Sequence, residues 1–169
     1  MTPPDEAMAD WEARLWQLQT GTWSGKVTTR AVDGALIDEY DVVTDVAVDL
    51  AANRYAQRVV TMRGGRAEAR TFTAHWEGRD LVVRSPRFTA RARAAAARVI
   101  VLTGRSADGS SETVETITLL TDHTRARTVQ HIEAGRLRAV TVVSNEQRQS
   151  PLPGIDLAGE PLPQRGPAL

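Results

Sequence analysis

The chain of 169 residues contains no cysteine, which removes disulfides, thiolate nucleophiles and thiolate metal sites together. Its 21 basic and 21 acidic residues cancel, so no long-range field draws it onto nucleic acid or an anionic membrane. Lys26 is the only lysine, and with so many Ala and Val the arginine bias reads as a GC-rich bacterial coding preference. No apolar run approaches the ~18 residues of a membrane-crossing helix. The opening Met1-Thr2-Pro3-Pro4-Asp5-Glu6 lacks the basic and apolar regions of a signal peptide, so a soluble cytoplasmic protein without membrane or nucleic-acid partners is expected. Also missing are a Gly-x-Ser-x-Gly elbow, a His-Glu-x-x-His pair and a Gly-rich phosphate loop. No metal site and no cofactor are expected. Aromatic residues make up only 5% of the chain, so the place of each one is informative.

What is present is one helix followed by many strands. Pro4 to Gln19 has Asp5 and Glu6 in its first turn, Met8, Trp11, Leu15 and Leu18 at helical spacing, and Gly21 as its stop. From Trp23 the period changes to two. Strands are expected from Trp23, over Leu36 to Val48, Arg54 to Arg63, Ala67 to Trp76, Leu81 to Arg84, Phe88 to Arg93, Arg98 to Thr103, Glu112 to Thr121, Ala126 to Ile132 and Leu137 to Glu146. Asp33-Gly34 and Gly64-Gly65 mark tight hairpins, and Ala94 to Ala97 reads as a tight connection. On the second strand Tyr40, Val42, Val46 and Val48 share one face, while Glu39, Asp41, Asp45 and Asp49 face water. Short turns throughout imply antiparallel neighbours. The fold class is therefore all-β, an antiparallel up-and-down barrel of about eight to ten strands with an N-terminal capping helix at its mouth. Residues 1–149 form that domain. Residues 150–169, with Pro151, Pro153, Pro161, Pro163 and Pro167, form a tail that is either disordered or a strap across the barrel.

The Gly21-Thr22-Trp23 step after the helix, with the meander that follows, resembles the calycin superfamily of lipocalins, fatty-acid-binding proteins and bilin-lyase-like bacterial barrels. Ser85-Pro86-Arg87-Phe88 and Asp122-His123-Thr124-Arg125-Ala126-Arg127-Thr128 are similar to stretches of uncharacterised bacterial members. The resemblance implies that Trp23 closes the barrel floor under the guanidinium of Arg148. It also offers haem, but the last strand holds no histidine and His131 lies one strand earlier.

A barrel of this size either encloses a small hydrophobic molecule or fills with side chains. Tyr40, Val42, Phe72, Trp76 and His131 are the expected ligand-binding residues, with Ala74, Val140 and Val142 as small lining positions. Glu115 shares parity with Ile117 and Leu119, and Arg127 with Val129 and His131, so both are candidate charges in the cavity. They would orient a carboxylate-bearing ligand or move a proton, which makes them the candidate catalytic pair. The resemblance supplies the alternative function, a cofactor-independent cyclase or isomerase of the pericyclase type acting on a polyketide-like natural-product intermediate. The oligomeric state is open between monomer and homodimer.

Overall fold

The computed structural model describes residues 7–149. Helix α1 (Asp10–Gln17) precedes ten strands: β1 (Gly21–Ala31), β2 (Leu36–Asp49), β3 (Arg54–Arg63), β4 (Arg66–Glu77), β5 (Asp80–Arg84), β6 (Phe88–Ala96), β7 (Val99–Ser106), β8 (Ser111–Leu119), β9 (Thr124–Glu133) and β10 (Arg136–Gln149). Each strand pairs antiparallel with the next, and β10 pairs with β1 to close the barrel. The expected all-β up-and-down barrel with a capping helix is what the chain forms. The Pro-rich tail lies outside the described residues, as does the expected first turn of the helix. Among the described residues no helix is long and apolar enough to cross a membrane.

Three local expectations are corrected. The helix is shorter and rotated: its buried face is Glu12, Leu15 and Trp16, while Trp11 is 41% exposed. It plugs the end of the barrel that holds Trp23, not the opposite mouth. Eight residues are too few for an isolated helix, and what holds this one is a buried carboxylate. Glu12 accepts the Ala9 N–H at 2.8 Å and the Arg79 Nε and Nη2 at 3.0 and 2.7 Å. Burial pushes its pKa up, but Arg79 and the Ala9 N–H outweigh that and hold it below the usual carboxylate range. On β2, Asp45 does not face water but is buried, accepting the Thr22 hydroxyl at 2.6 Å. The alanine stretch is mostly strand, since β6 runs to Ala96 with an irregularity between Ala94 and Ala96 before the turn.

The core lies at the helix end. Leu15, Trp16, Trp23, Val46, Trp76, Leu81, Ile100 and Leu119 pack together, and Trp16, Tyr55 and Trp76 meet edge to face at 5.7–6.4 Å. A separate group, Val27, Val42 and Val143, fills the side where β1, β2 and β10 meet. Asn53 ties the β2–β3 turn to β4: its Oδ1 accepts the Trp76 N–H at 2.7 Å and its Nδ2 donates to the Trp76 carbonyl at 3.1 Å. Its φ is +52°. Asn53→Ala loses both bonds and keeps a left-handed backbone unfavourable to alanine, so thermal melts are expected to show a loss of about 1–3 kcal/mol. Asn53→Gly is expected to lose less.

Candidate functional site

Two-residue periodicity turns Tyr55 and Gln57 of β3, Phe72 of β4, Leu81 and Val83 of β5, Ile100 and Leu102 of β7, Glu115 and Ile117 of β8, and Arg125 and Arg127 of β9 toward the barrel axis. With Trp16 and Gln19 as floor, they bound a cavity of about 200 Å³. Phe72 also borders a second chamber of about 230 Å³ toward the open end, lined by Tyr40, Val59, Thr61, Arg63, Glu68 and Arg70.

The walls are apolar except on one side. There Glu146, with no exposure, lies between two guanidiniums. Arg125 donates to it through Nε at 2.7 Å and Nη2 at 2.9 Å, and Arg127 through Nε at 2.9 Å and Nη2 at 3.0 Å. Burial pushes the Glu146 carboxyl up, but the two arginines outweigh it and hold it below its ordinary value. Arg125 also donates to Gln19 Oε1 at 3.0 Å. Arg127 reaches Glu115 only through Nη1 at 3.4 Å, and Glu115 keeps 18% exposure. Burial pushes the Tyr55 phenol up to about 12, so it stays a neutral donor, to Gln57 Oε1 at 2.6 Å. That leaves the Gln57 amide nitrogen, Glu115, the Thr113 hydroxyl and the Trp16 indole N–H, which is buried without a partner, as available polar groups of the lining residues. No group of three or more metal-ligating side chains occurs among the described residues.

Below this network, Arg125 lies 4.3 Å and Arg148 4.8 Å from the centroid of the Trp23 ring. The indole donates to the Gln19 carbonyl at 2.8 Å, and Arg148 Nη2 donates to the Leu18 carbonyl. The floor is thus a tryptophan flanked by two cations, each worth up to ~2 kcal/mol when desolvated.

The residues singled out in the sequence fall in separate places. Glu115, Arg127 and Phe72 line the 200 Å³ cavity together. Trp76 lies behind it, its ring 5.7 Å from that of Trp16. Tyr40 belongs to the outer chamber, where the Arg63 guanidinium stacks 3.6 Å from its ring centroid. Val42 is in the valine group. His131 shares a 2.8 Å hydrogen bond with Thr141, which shares another with Thr29. Val140 and Val142 point outward, Val142 being 40% exposed, because inward positions on β10 are Ala139, Thr141 and Val143.

Glu146 and Arg125 were not anticipated. The signal for Arg125 was its two-residue spacing from Arg127, obscured by reading Thr124-Arg125 as turn. Glu146 has a subtler cause. Opposite β9, Val143 pairs with Arg127 and Glu146 with Arg125, so Ser144 and Asn145 of β10 stand against the single Ala126, one residue in excess, and Asn145 takes φ +51°. Inward parity therefore passes from odd to even along the strand. Gly25 across on β1 makes this packing possible, since a Cβ there would lie 3.1 Å from Val143 Cγ1 and 3.2 Å from the Glu146 backbone.

No protein-family model matches the chain, and no curated protein matches it in sequence. Solved structures do. One is a protein of unknown function of the DUF3598 family from Nostoc punctiforme, 18% identical with a TM-score of 0.64 over 79% of this chain and 49% of that one. This chain therefore spans about half the length of the Nostoc protein. Another is the S-type phycobiliprotein lyase CPES from Guillardia theta, 11% identical with a TM-score of 0.63 over 82% of this chain and 92% of the lyase. At these identities the likeness is one of fold, a calycin-like barrel.

Proposed function

We propose that the barrel encloses a small, uncharged, mainly apolar organic molecule carrying one or two oxygen atoms. The carrying observation is the 200 Å³ chamber, apolar on most sides, with its charges gathered on one wall and balanced there. Arg125 and Arg127 face Glu146 and Glu115, two cations against two anions. A ligand carboxylate would add a third anion to a low-dielectric site whose cations are already committed. A hydroxyl can instead donate to Glu115 while a carbonyl accepts from Gln57. The chamber alone has room for about six or seven waters' volume. With the chamber beyond Phe72 it reaches the ~300–1,000 Å³ of ordinary small-molecule sites. The calycin-like fold shared with a phycobiliprotein lyase supports a binding barrel and does not specify the ligand.

A matched pair of probes tests this. Quenching of tryptophan fluorescence should show 2-naphthol binding at least about tenfold more tightly than 2-naphthoate, or ~1.4 kcal/mol. Leu102→Trp, which puts a larger side chain on the wall, should weaken naphthol by a similar factor. Tighter naphthoate binding would overturn the neutral-ligand reading, and no binding of either would overturn enclosure.

The second reading, a cofactor-independent cyclase or isomerase, is favoured by Glu115 itself. A carboxylate facing an apolar chamber with one long hydrogen bond can take a proton from a bound polyketide-like substrate and return it elsewhere. Held beside Arg127, it needs no metal to do so. Glu115→Gln is then expected to keep binding and lose turnover by about 10²–10⁴-fold.

A further inference from the structure

β5 is five residues long, and it pairs with β4 only at His75, Trp76 and Glu77. Among the described residues no strand pairs with 66–74 on the side away from β3. The stretch from Arg66 to Thr71 is exposed, so this half of β4 is an open edge of the barrel wall. The two-residue turn at Gly64-Gly65 makes Arg63 and Arg66 a hydrogen-bonded pair, so the even residues of β4 bond to β3. The N–H and C=O groups of Ala67, Ala69, Thr71 and Thr73 point to the open edge. Such an edge is a template for another strand, and proteins usually blunt it with charges of one sign, Pro or a bulge. Here there is no Pro, the β3–β4 register is unbroken, and the charges Arg66, Glu68 and Arg70 alternate in sign, so they do not repel a strand of matching order. The outer face of the edge is Ala67, Ala69, Thr71 and Thr73, small and uncharged.

We propose that this edge pairs antiparallel with the same edge of a second copy, forming a twofold dimer centred on Ala69. Centring on Ala69 sets Ala67 against the partner's Thr71 as hydrogen-bonded pairs. It also sets Glu68 against the partner's Arg70, twice by symmetry, at the closer non-hydrogen-bonded positions. Sliding the register by two places sets Glu68 against Glu68 or Arg70 against Arg70, which the charges oppose. The Arg-Ala-Glu-Ala-Arg order is therefore self-complementary in one register.

The pairing also bears on access to the barrel interior. Where β5 ends, Phe72 and Phe88 meet edge to face across the gap at 6.2 Å. In the Ala69 register the partner's Arg66 falls opposite Phe72, the residue common to both chambers. The second copy thus extends the wall beside the way in.

Light scattering of the full chain should give twice 18.4 kDa at high micromolar concentration. Because the chain has no cysteine, Ala69→Cys should form a covalent dimer on mild oxidation, its pair at the ~5.5 Å Cα spacing a disulfide accepts. Gln130→Cys, at an exposed position on another strand, should not. Glu68→Arg should shift the chain to monomer with its far-ultraviolet circular dichroism unchanged, and Glu68→Arg with Arg70→Glu should restore the dimer. A monomeric wild type overturns the proposal. So does a dimer that Glu68→Arg leaves intact and that Ala69→Cys does not crosslink, which would place the interface on another face. Co-purification of a different protein paired along this edge, with no self-association, would equally overturn the second copy as occupant.

Discussion

Glu146→Gln is expected to destabilise the protein by about 3–5 kcal/mol in urea unfolding, because it leaves two buried guanidiniums facing a neutral amide. Arg125 is 3% exposed and Arg127 11%, so water cannot take over the lost charge. For a domain of this size the loss corresponds to a fall in Tm of roughly 10 °C. The wild type should also lose stability in acid in a way the variant does not. Arg125 and Arg127, outweighing burial, depress the folded-state pKa of Glu146. Its contribution is therefore fully present above the unfolded value near ~4.3 and is lost as pH falls through the folded one. The stability gap between wild type and variant should be constant at neutral pH and narrow on acidification below that value. Replacing all three members together, as Arg125→Met, Arg127→Met and Glu146→Leu, should cost less than Glu146→Gln alone. The expense of a buried ion network lies in breaking it, not in lacking it.

Trp23→Ala is expected to cost about 3–5 kcal/mol or more, since the ring has no exposure and its loss opens a cavity at the floor. Two further losses follow: the Arg125 and Arg148 guanidiniums lose the face they stack on, and the Gln19 carbonyl loses its donor. Trp23→Phe separates these, because it keeps an aromatic face but not the N–H, and should cost nearer the ~1 kcal/mol of one hydrogen bond plus the lost ring volume. Chemical denaturation followed by far-ultraviolet circular dichroism gives both values without relying on the fluorophore that has been removed. A loss below about 1 kcal/mol for Trp23→Ala would mean that the floor is held by the helix alone.

The strand pattern was legible because nearly every strand has a solvated face and a buried one, and short Gly- or Asp-bearing turns separate them. Trp23 over Arg148 was legible only through resemblance, and the second cation, Arg125, was hidden by one misplaced strand start. The helix face was misread because its buried stripe includes a charge. Glu12 breaks the apolar pattern, whereas Trp11, which fits it, points to water. A buried carboxylate reads as surface until its arginine, here Arg79, is known from a turn more than sixty residues away. The cavity wall was half legible: Glu115 and Arg127 follow from parity within unbroken strands. Val140 and Val142 were misassigned for the opposite reason. Counting back in twos from inward Arg148 gives the wrong face beyond the bulge, although it gives Glu146 correctly. Which inward residues leave space between them is a property of the closed ring of strands, and no single strand carries it.

The bulge on β10 acts as a phase shifter. Upstream of it the strand keeps time with β9 on odd residues, and downstream on even ones, so the anion at the centre of the barrel is held in place by a count of residues as much as by its partners. Drawing the bulge out into plain alternation at the same chain length would turn both Glu146 and Arg148 to the outside while leaving the composition of the strand untouched. The barrel should therefore accept many substitutions at Ser144, which is exposed, but neither a Cβ at Gly25, which packs against the bulge, nor an added residue beside Ser144, which would carry Glu146 past Arg125. The hairpin tips at Gly64-Gly65 and Ala134-Gly135, where no inward residue follows within the turn, should tolerate added length far better.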